Sequence, residues 1–401
     1  MRRLNARRVL DYAWVTDAFT ASDVMTTTTL SRSTVIGVCD DLVRQGWLKE
    51  LGDARAVGEY RNGRPARRYA LRDEAAVVIG VDAGHDAMSA TVADLRGCPV
   101  GRAQLRIPAA TPQGAGRDAD ADRRRALARE VVDEALRAAG VVRGGVLAVT
   151  VGVPAPVDVD GASPVYGTGF WHLMNPGFRG LFSDCAPIVT VENDANLAAI
   201  GEQSALAGSG RDVDSFIAIL VGEGIGAGLM IDRRLVRGRR GGAGEMRILD
   251  HVNGVGSADG LGLCARRWAT HSIRSGTLPR HSLLRQLDPA TLQESDVALA
   301  AAAGDAVAAD ILERLSARLA RICLVLGEFL DVDRIVVVGS VVESLPAMIR
   351  RAAAILGESD DPAVPALVAS RLGADAVSIG AVEHALAQVR ERVFELSPAA
   401  H

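Results

Sequence analysis

The chain has 401 residues, 48% of them hydrophobic, and a formal charge of −4, enough for two or three domains with sizeable cores. No apolar run approaches the roughly 20 residues that span a bilayer, and the N-terminal stretch lacks the apolar segment and small-residue cleavage site of a secretory signal. The five cysteines form no CxxC pair, so we expect a cytoplasmic protein with no membrane partner, no disulfide framework and no cysteine-rich metal site.

Charge is unevenly placed. Residues 1–72 carry 13 Lys/Arg against 8 Asp/Glu, whereas the rest of the chain carries 32 against 41. A basic module on an acidic body points to an anionic partner, with nucleic acid first. The stretch "ASDVMTTTTLSRSTVIGVCDDLVRQGWLKEL" (21–51) has the cadence of a helix-turn-helix. Ser22 or Asp23 is the expected cap of a first helix, and Ser31 that of a second. Val35, Val38, Leu42 and Val43 recur at helical spacing and should face the core. Arg32, Ser33 and Thr34 fall in the first turn, where with Ser31 they can meet phosphates and base edges. Gly46 ends the helix, "WLKEL" begins a strand, and "VGEYRNGRPARRYAL" (57–71) supplies a turn and a returning strand, which together make a wing. Arg61, Arg64, Arg67 and Arg68 crowd that hairpin, and Gly63-Arg64-Pro65 suits a minor groove. The competing reading is a solvated basic hairpin on a protein-interaction domain. We place this winged helix-turn-helix domain at residues 1–73.

From Ala76 the composition changes. "AVVIGVDAGHDAMSATVADLRG" (76–97) reads as strand, tight turn and strand. "VLAVTVGVPAPVD" (146–158) opens with a strand, and "PIVTVENDANLAAIGE" (187–202) reads as strand, turn and helix. "LVGEGIGAGLMIDRRLVRG" (220–238) is a glycine hairpin, and a long helix near 305–330 leads into "DRIVVVGSVVES" (333–344). Residues 111–122 read as a surface loop ahead of the helix "RRRALAREVVDEALRAAG". Alternating helices and Val/Ile-rich strands indicate an α/β domain, placed at 76–397.

These motifs, with "GAGE" and the closing "SRLGADAVSIGAVEHAL" (370–386), resemble in order and spacing the ROK family of bacterial sugar-responsive repressors and sugar kinases. The winged helix, with "LSRSTV" and "GRP", is similar to the repressor branch. The resemblance implies a two-lobed actin-like (ribonuclease H-like) fold with nucleotide and sugar in the cleft.

The three nucleotide turns depart from the family pattern. The first reads Asp82-Ala83-Gly84-His85-Asp86 where Asp-x-Gly-Gly-Thr is implied, Glu223 replaces a threonine in the second, and the third reads Gly339-Ser340-Val341 instead of three glycines. A carboxylate ~4 Å from a phosphate charge costs on the order of 4 kcal/mol at an effective dielectric of ~20. We therefore expect neither ATP binding nor enzymatic activity.

On the sugar side, the resemblance assigns Asn193, Asp194 and Glu245 to hydroxyls of the ligand, with Gly84 and Trp171 in cleft-forming segments. Asn193-Asp194 equally suits a helix cap, and Trp171 equally suits a core position. Gly167 or Thr168 stands where the usual asparagine is expected, and Ala265, Arg266 and Arg267 follow Cys264 where a second glutamate is implied. The zinc ligands that the family supplies collapse here to His251 and Cys264, with Ile248 in place of a histidine. Two candidate ligands do not make a closed structural zinc site, so no metal or other cofactor is expected. The reading is thus a repressor-type regulator, a homodimer or homotetramer on double-stranded operator DNA, answering a sugar or sugar-derived effector. A sugar kinase with an added N-terminal domain and a regulator with a vestigial cleft are the rivals.

Overall fold

The computed structural model describes residues 2–52, 66–107, 117–165 and 169–398, without the side chains of 117 and 118. The chain opens with helix α1 (Arg2–Val15), which sequence reading did not anticipate. Its buried Val9, Leu10, Ala13 and Trp14 share one helical face. Strand β1 (Phe19–Thr20) leads to α2 (Ala21–Thr27) and α3 (Arg32–Arg44). The cap of α2 is Thr20, not Ser22 or Asp23: Thr20 and Asp23 form a reciprocal capping box, with Asp23 inside the first turn. Ser31 caps α3, and its Oγ accepts from the Thr34 amide at 3.3 Å. Val35, Val38 and Leu42 are buried and Val43 partly so. Gly46, at φ +83°, turns the chain into β2 (Leu48–Leu51). Strand β3 (Arg68–Leu71) pairs antiparallel with both β1 and β2. The wing residues Arg61, Gly63, Arg64 and Pro65 lie outside the described residues.

The body repeats one sheet plan twice. In the first lobe β4 (Val77–Ala83), β5 (Ala87–Asp94) and β6 (Pro99–Arg106) run antiparallel, helix α4 (Arg117–Ala139) follows, and β7 (Val146–Val153) joins β4 in parallel. Short helices α5 (Phe170–Met174) and α6 (Phe178–Leu181) precede β8 (Ile188–Asn193), giving the order β6-β5-β4-β7-β8. Helix α7 (Asp194–Ser204) leads to the second lobe, where β9 (Phe216–Val221), β10 (Ile225–Ile231) and β11 (Arg234–Val236) form the antiparallel half. Helices α8 (Leu261–Arg274), α9 (Glu294–Ala302) and α10 (Ala306–Leu330) come next, and β12 (Arg334–Val338) pairs in parallel with β9. After α11 (Val341–Ser344) and α12 (Pro346–Leu356), β13 (Ala366–Ala369) completes the order β11-β10-β9-β12-β13. The last helix, α13 (Ala376–Glu391), returns to the first lobe.

Two contacts set this frame. Helices α7 and α13 cross so closely that a Cβ on Gly380 would sit 1.8 Å from the Leu197 carbonyl oxygen, and one on Gly201 would sit 2.5 Å from that of Ala376. Only hydrogen fits at such a crossing. The far end of α13 then enters the core of the N-terminal module. Val382, Leu386, Val389 and Val393 belong to one buried cluster with Leu10, Trp14, Phe19, Trp47 and Tyr69. The Trp14 indole donates to the Leu95 carbonyl at 3.0 Å, and Arg96 donates to the Thr16 carbonyl at 2.9 Å. The body and the N-terminal module are therefore fastened by a shared core.

Candidate functional site

The exposed start of α3 is the first candidate surface. Ser31, Arg32 and Ser33 are exposed and Thr34 is half-buried. The Ser31 hydroxyl is engaged by its own helix and lies 2.8 Å from Thr34 Oγ1 and 3.1 Å from Ser33 Oγ, so it holds the turn, while Arg32 is exposed beside it. Arg67 differs from the expectation of a crowd of free wing arginines. Its guanidinium bridges Asp40 of α3 at 2.8 Å and Glu50 of β2, tying the sheet to the helix.

The second candidate lies where strand ends from both lobes meet. Asn193 caps α7: its Oδ1 accepts from the Asn196 amide at 3.1 Å, and its Nδ2 donates to the Ala155 carbonyl at 3.2 Å. One amide proton is left for a ligand, so the cap reading and the contact reading fit the same residue. Asp194, the first residue of α7, accepts from the Ala195 amide at 2.8 Å. Burial, followed by the charges of Asp82 and Glu245, pushes its pKa well above the usual carboxylate range. Asp82, at the end of β4, is pushed up to about 6 by burial, against the pull of Arg124. Glu245 is raised by burial and lowered by Arg247. Gly244 before it sits at φ +90°, and a Cβ there would lie 1.8 Å from the Ala227 carbonyl oxygen. The fold thus converges three desolvated carboxylates, a set that accepts hydrogen bonds from adjacent hydroxyls.

Gly84 lies in the β4–β5 turn beside this group. Buried Arg124 of α4 donates to the carbonyls of Ala83 and Gly84 at 2.8 and 3.0 Å. Sequence reading missed Arg124. The available signal was its position on the stripe of Ala128, Val131, Ala135 and Leu136, the buried face of α4. Trp171 is half-buried and packs on the first lobe's core.

In the second of the altered turns, an arginine holds the substituted carboxylate. Arg266 of α8 pairs with Glu223 and, at 2.7 Å, with Glu294. The Coulomb penalty expected of an isolated Glu223 is therefore partly cancelled. The turn's amides are also in use: Gly222 donates to the Gly224 carbonyl at 3.0 Å and Ile225 to that of Ala258 at 2.9 Å. In the first turn, His85 Nδ1 lies 2.6 Å from Asp86 Oδ1, and both side chains are exposed. In the third, Gly339 at φ +100° leads directly into α11 through Ser340 and Val341.

Where the family supplies zinc ligands, Arg318 of α10 reaches in instead. It donates to Cys264 Sγ at 2.6 Å, and to the carbonyls of Ser257 and Asp259 at 2.6 and 3.1 Å. Among the described residues, no group of three or more His, Cys, Asp or Glu is placed to hold a metal ion. Ile248 is 57% exposed.

Two antiparallel-then-parallel sheets flanking one cleft define a duplicated ribonuclease H-like protein with a helix-turn-helix module ahead of it. The ROK family model matches residues 78–388, and the chain belongs to the ROK family. It is 25% identical over 243 residues to a putative xylose repressor of Caldicellulosiruptor sp. (strain Rt8B.4), covering 60% of this chain and 57% of that one. The chain thus spans little more than half the length of this curated repressor. It is 29% identical over 269 residues to an N-acetylmannosamine kinase of Yersinia pseudotuberculosis serotype O:1b (strain IP 31758), covering 66% and 82%. Among solved structures, a ROK family transcriptional regulator homologous to the E. coli MLC protein superposes with TM-score 0.70 and 20% identity over 96% of both chains. A ROK glucokinase from Streptomyces griseus superposes with TM-score 0.62 and 24% identity over 77% of this chain and 99% of its own.

Proposed function

We propose that this protein is a DNA-binding transcriptional regulator of the repressor type. In this reading its cleft senses a sugar or sugar derivative and performs no phosphoryl transfer. The exposed Arg32-Ser33 start of α3, on a module whose core is completed by the body's last helix, carries the reading. The comparisons support it: relatives include a putative xylose repressor, and the regulator structure matches over 96% of this chain against 77% for the glucokinase. ATP and zinc have no part in it. The phosphate turns carry side chains and internally bonded amides, and a guanidinium already holds the loop that zinc would close.

The effector's route to DNA is α7 to α13. Asp194 opens α7, the two helices meet at a glycine crossing with no slack, and α13 ends inside the DNA-binding module. A ligand that favours one placement of α7 biases the module through its differential affinity for the two states. A homodimer or homotetramer on a palindromic operator supplies two half-sites.

The test begins with genomic fragments selected by the full chain, followed by gel shifts in a salt series. Arg32→Ala is expected to weaken the selected site by roughly 1–3 kcal/mol and to relax its sequence preference. Asp194→Ala is expected to keep operator affinity while losing the response to whichever sugar releases the wild type. Wild-type operator binding by Arg32→Ala would remove α3 as the reader. Micromolar ATP affinity with sugar-dependent ADP release would establish the kinase reading in its place.

A further inference from the structure

A cavity of about 560 Å³ lies on the outer edge of β8, and neither Asp194 nor Glu245 lines it. Three parts of the fold wall it: the β8 edge with Arg179 of α6, the loop of residues 237–241 from the second lobe, and the end of α13 with Gln388 and Arg392. Strand β8 is the last in its sheet and pairs only with β7, so its outer main-chain groups face this space.

The charges around the cavity do not balance. Its two acids are already committed. Asp158 Oδ1 accepts from the amides of Asp160 and Ala162, both at 2.9 Å. Glu192 accepts from the Asn193 amide and Asn196 Nδ2, both at 2.9 Å, and from Arg237 Nε at 2.6 Å. Arg179 donates to the Asp160 carbonyl at 2.7 Å. The guanidinium groups of Arg239 and Arg392 have neither an ion pair nor a hydrogen bond among the described residues, and both are exposed. Beneath them His384 turns its Nδ1 toward the hydroxyls of Thr150 and Thr190, at 3.3 and 3.4 Å. Burial holds its pKa below the usual imidazole range, so it adds little positive charge of its own at neutral pH.

We propose that this cavity is a second ligand site for a small polyanion, with Arg239 and Arg392 as its principal contacts. The ligand class is a compact molecule carrying a phosphate ester or several carboxylates. A cavity of this size suits a phosphorylated monosaccharide or a tricarboxylate. Two guanidinium forks without partners among the described residues match the planar, bidentate geometry of such groups. A ligand held between Arg239 and Arg392 ties the 237–241 loop to the end of α13, the helix that enters the DNA-binding module. Any regulatory consequence rests on the function proposed above, but binding does not, so the test is made without DNA.

Calorimetric titration of the full chain with glucose 6-phosphate, citrate and glucose, at ionic strength matched with NaCl, is the experiment. At least one of the two anions is expected to bind while glucose gives no heat at this site, and which anion binds identifies phosphate ester or carboxylate as the group read. The double variant Arg239→Gln/Arg392→Gln is expected to weaken that affinity at least tenfold, and Asp194→Ala to leave it within twofold. Both arginines are exposed, so an unchanged melting temperature checks the fold of the double variant. Should it fail to fold, each single variant is expected to weaken binding about threefold. No heat from either anion, equal affinity in the arginine variants, or loss on Asp194→Ala would overturn the proposal, the last by placing the anion in the interlobe cleft. A change of oligomeric mass in the double variant, with no effect on anion affinity, would also overturn it and give the β8 edge to self-association.

Discussion

Two groups of carboxylates in the body treat charge in opposite ways. In one, Asp82, Asp194 and Glu245 are desolvated, and their pKa values are raised. In the other, Glu223, Glu294, Asp259 and the 257–260 loop are each held by an arginine. Burial of a carboxylate costs folding energy that a nearby amide or more distant arginine offsets only in part, and a ligand's hydroxyls can supply further donors. A carboxylate tied to arginine is already satisfied and offers a ligand little. The first group has the character of a binding surface and the second that of a brace.

The comparison breaks most visibly at Arg318. Removing it by Arg318→Ala strips donors from two half-buried carbonyls and the buried Cys264 sulfur, and is expected to cost about 3 kcal/mol of stability. Arg318→Lys should recover part of that, and added zinc none, as read by chemical denaturation with and without the metal. A smaller effect of opposite sign is expected at Asp82. Its folded pKa of about 6 lies above its ordinary 3.8, so between those pH values the folded state keeps a proton that the unfolded state has lost. Stability therefore falls as pH rises through that window, and the cost is complete above it. Asp82→Asn should stabilise the protein by about 2 kcal/mol at pH 8 and change little at pH 4; equal effects at both pH values would show that the carboxylate is not desolvated. The smallest change belongs to Glu223, whose side chain is 43% exposed. Glu223→Gln should shift stability by less than about 0.5 kcal/mol. It should also fail to create ATP affinity, because Asp86 and the engaged turn amides remain.

What was legible in the sequence was short in range. The Asn193 cap, the Ser31 cap, the β4–β5 turn and the long α10 all declare themselves within a few residues. The Thr20 cap was misplaced because Ser22 and Asp23 are equally good capping types, and only the backbone shows that Asp23 closes the box from inside the helix. The braces were not legible. Arg318 reaches Cys264 across 54 positions, Arg266 reaches Glu223 across 43, and Arg124 reaches Ala83 across 41. A trace existed all the same: Arg318 sits among Ile311, Leu315, Leu319, Ile322 and Cys323 on the buried face of α10. A charge on an apolar stripe must find acceptors somewhere, but the stripe does not say where.

The shared core of α13 and the N-terminal module has a consequence for synthesis. Residues 2–71 leave the ribosome ahead of the body, yet Val382, Leu386, Val389 and Val393, which close over Leu10, Trp14 and Trp47, are made more than three hundred residues later. Through most of translation the module therefore waits with an open hydrophobic face. A chain that stops short of α13 would leave that face open for good, so the integrity of the N-terminal module depends on a helix made long after it.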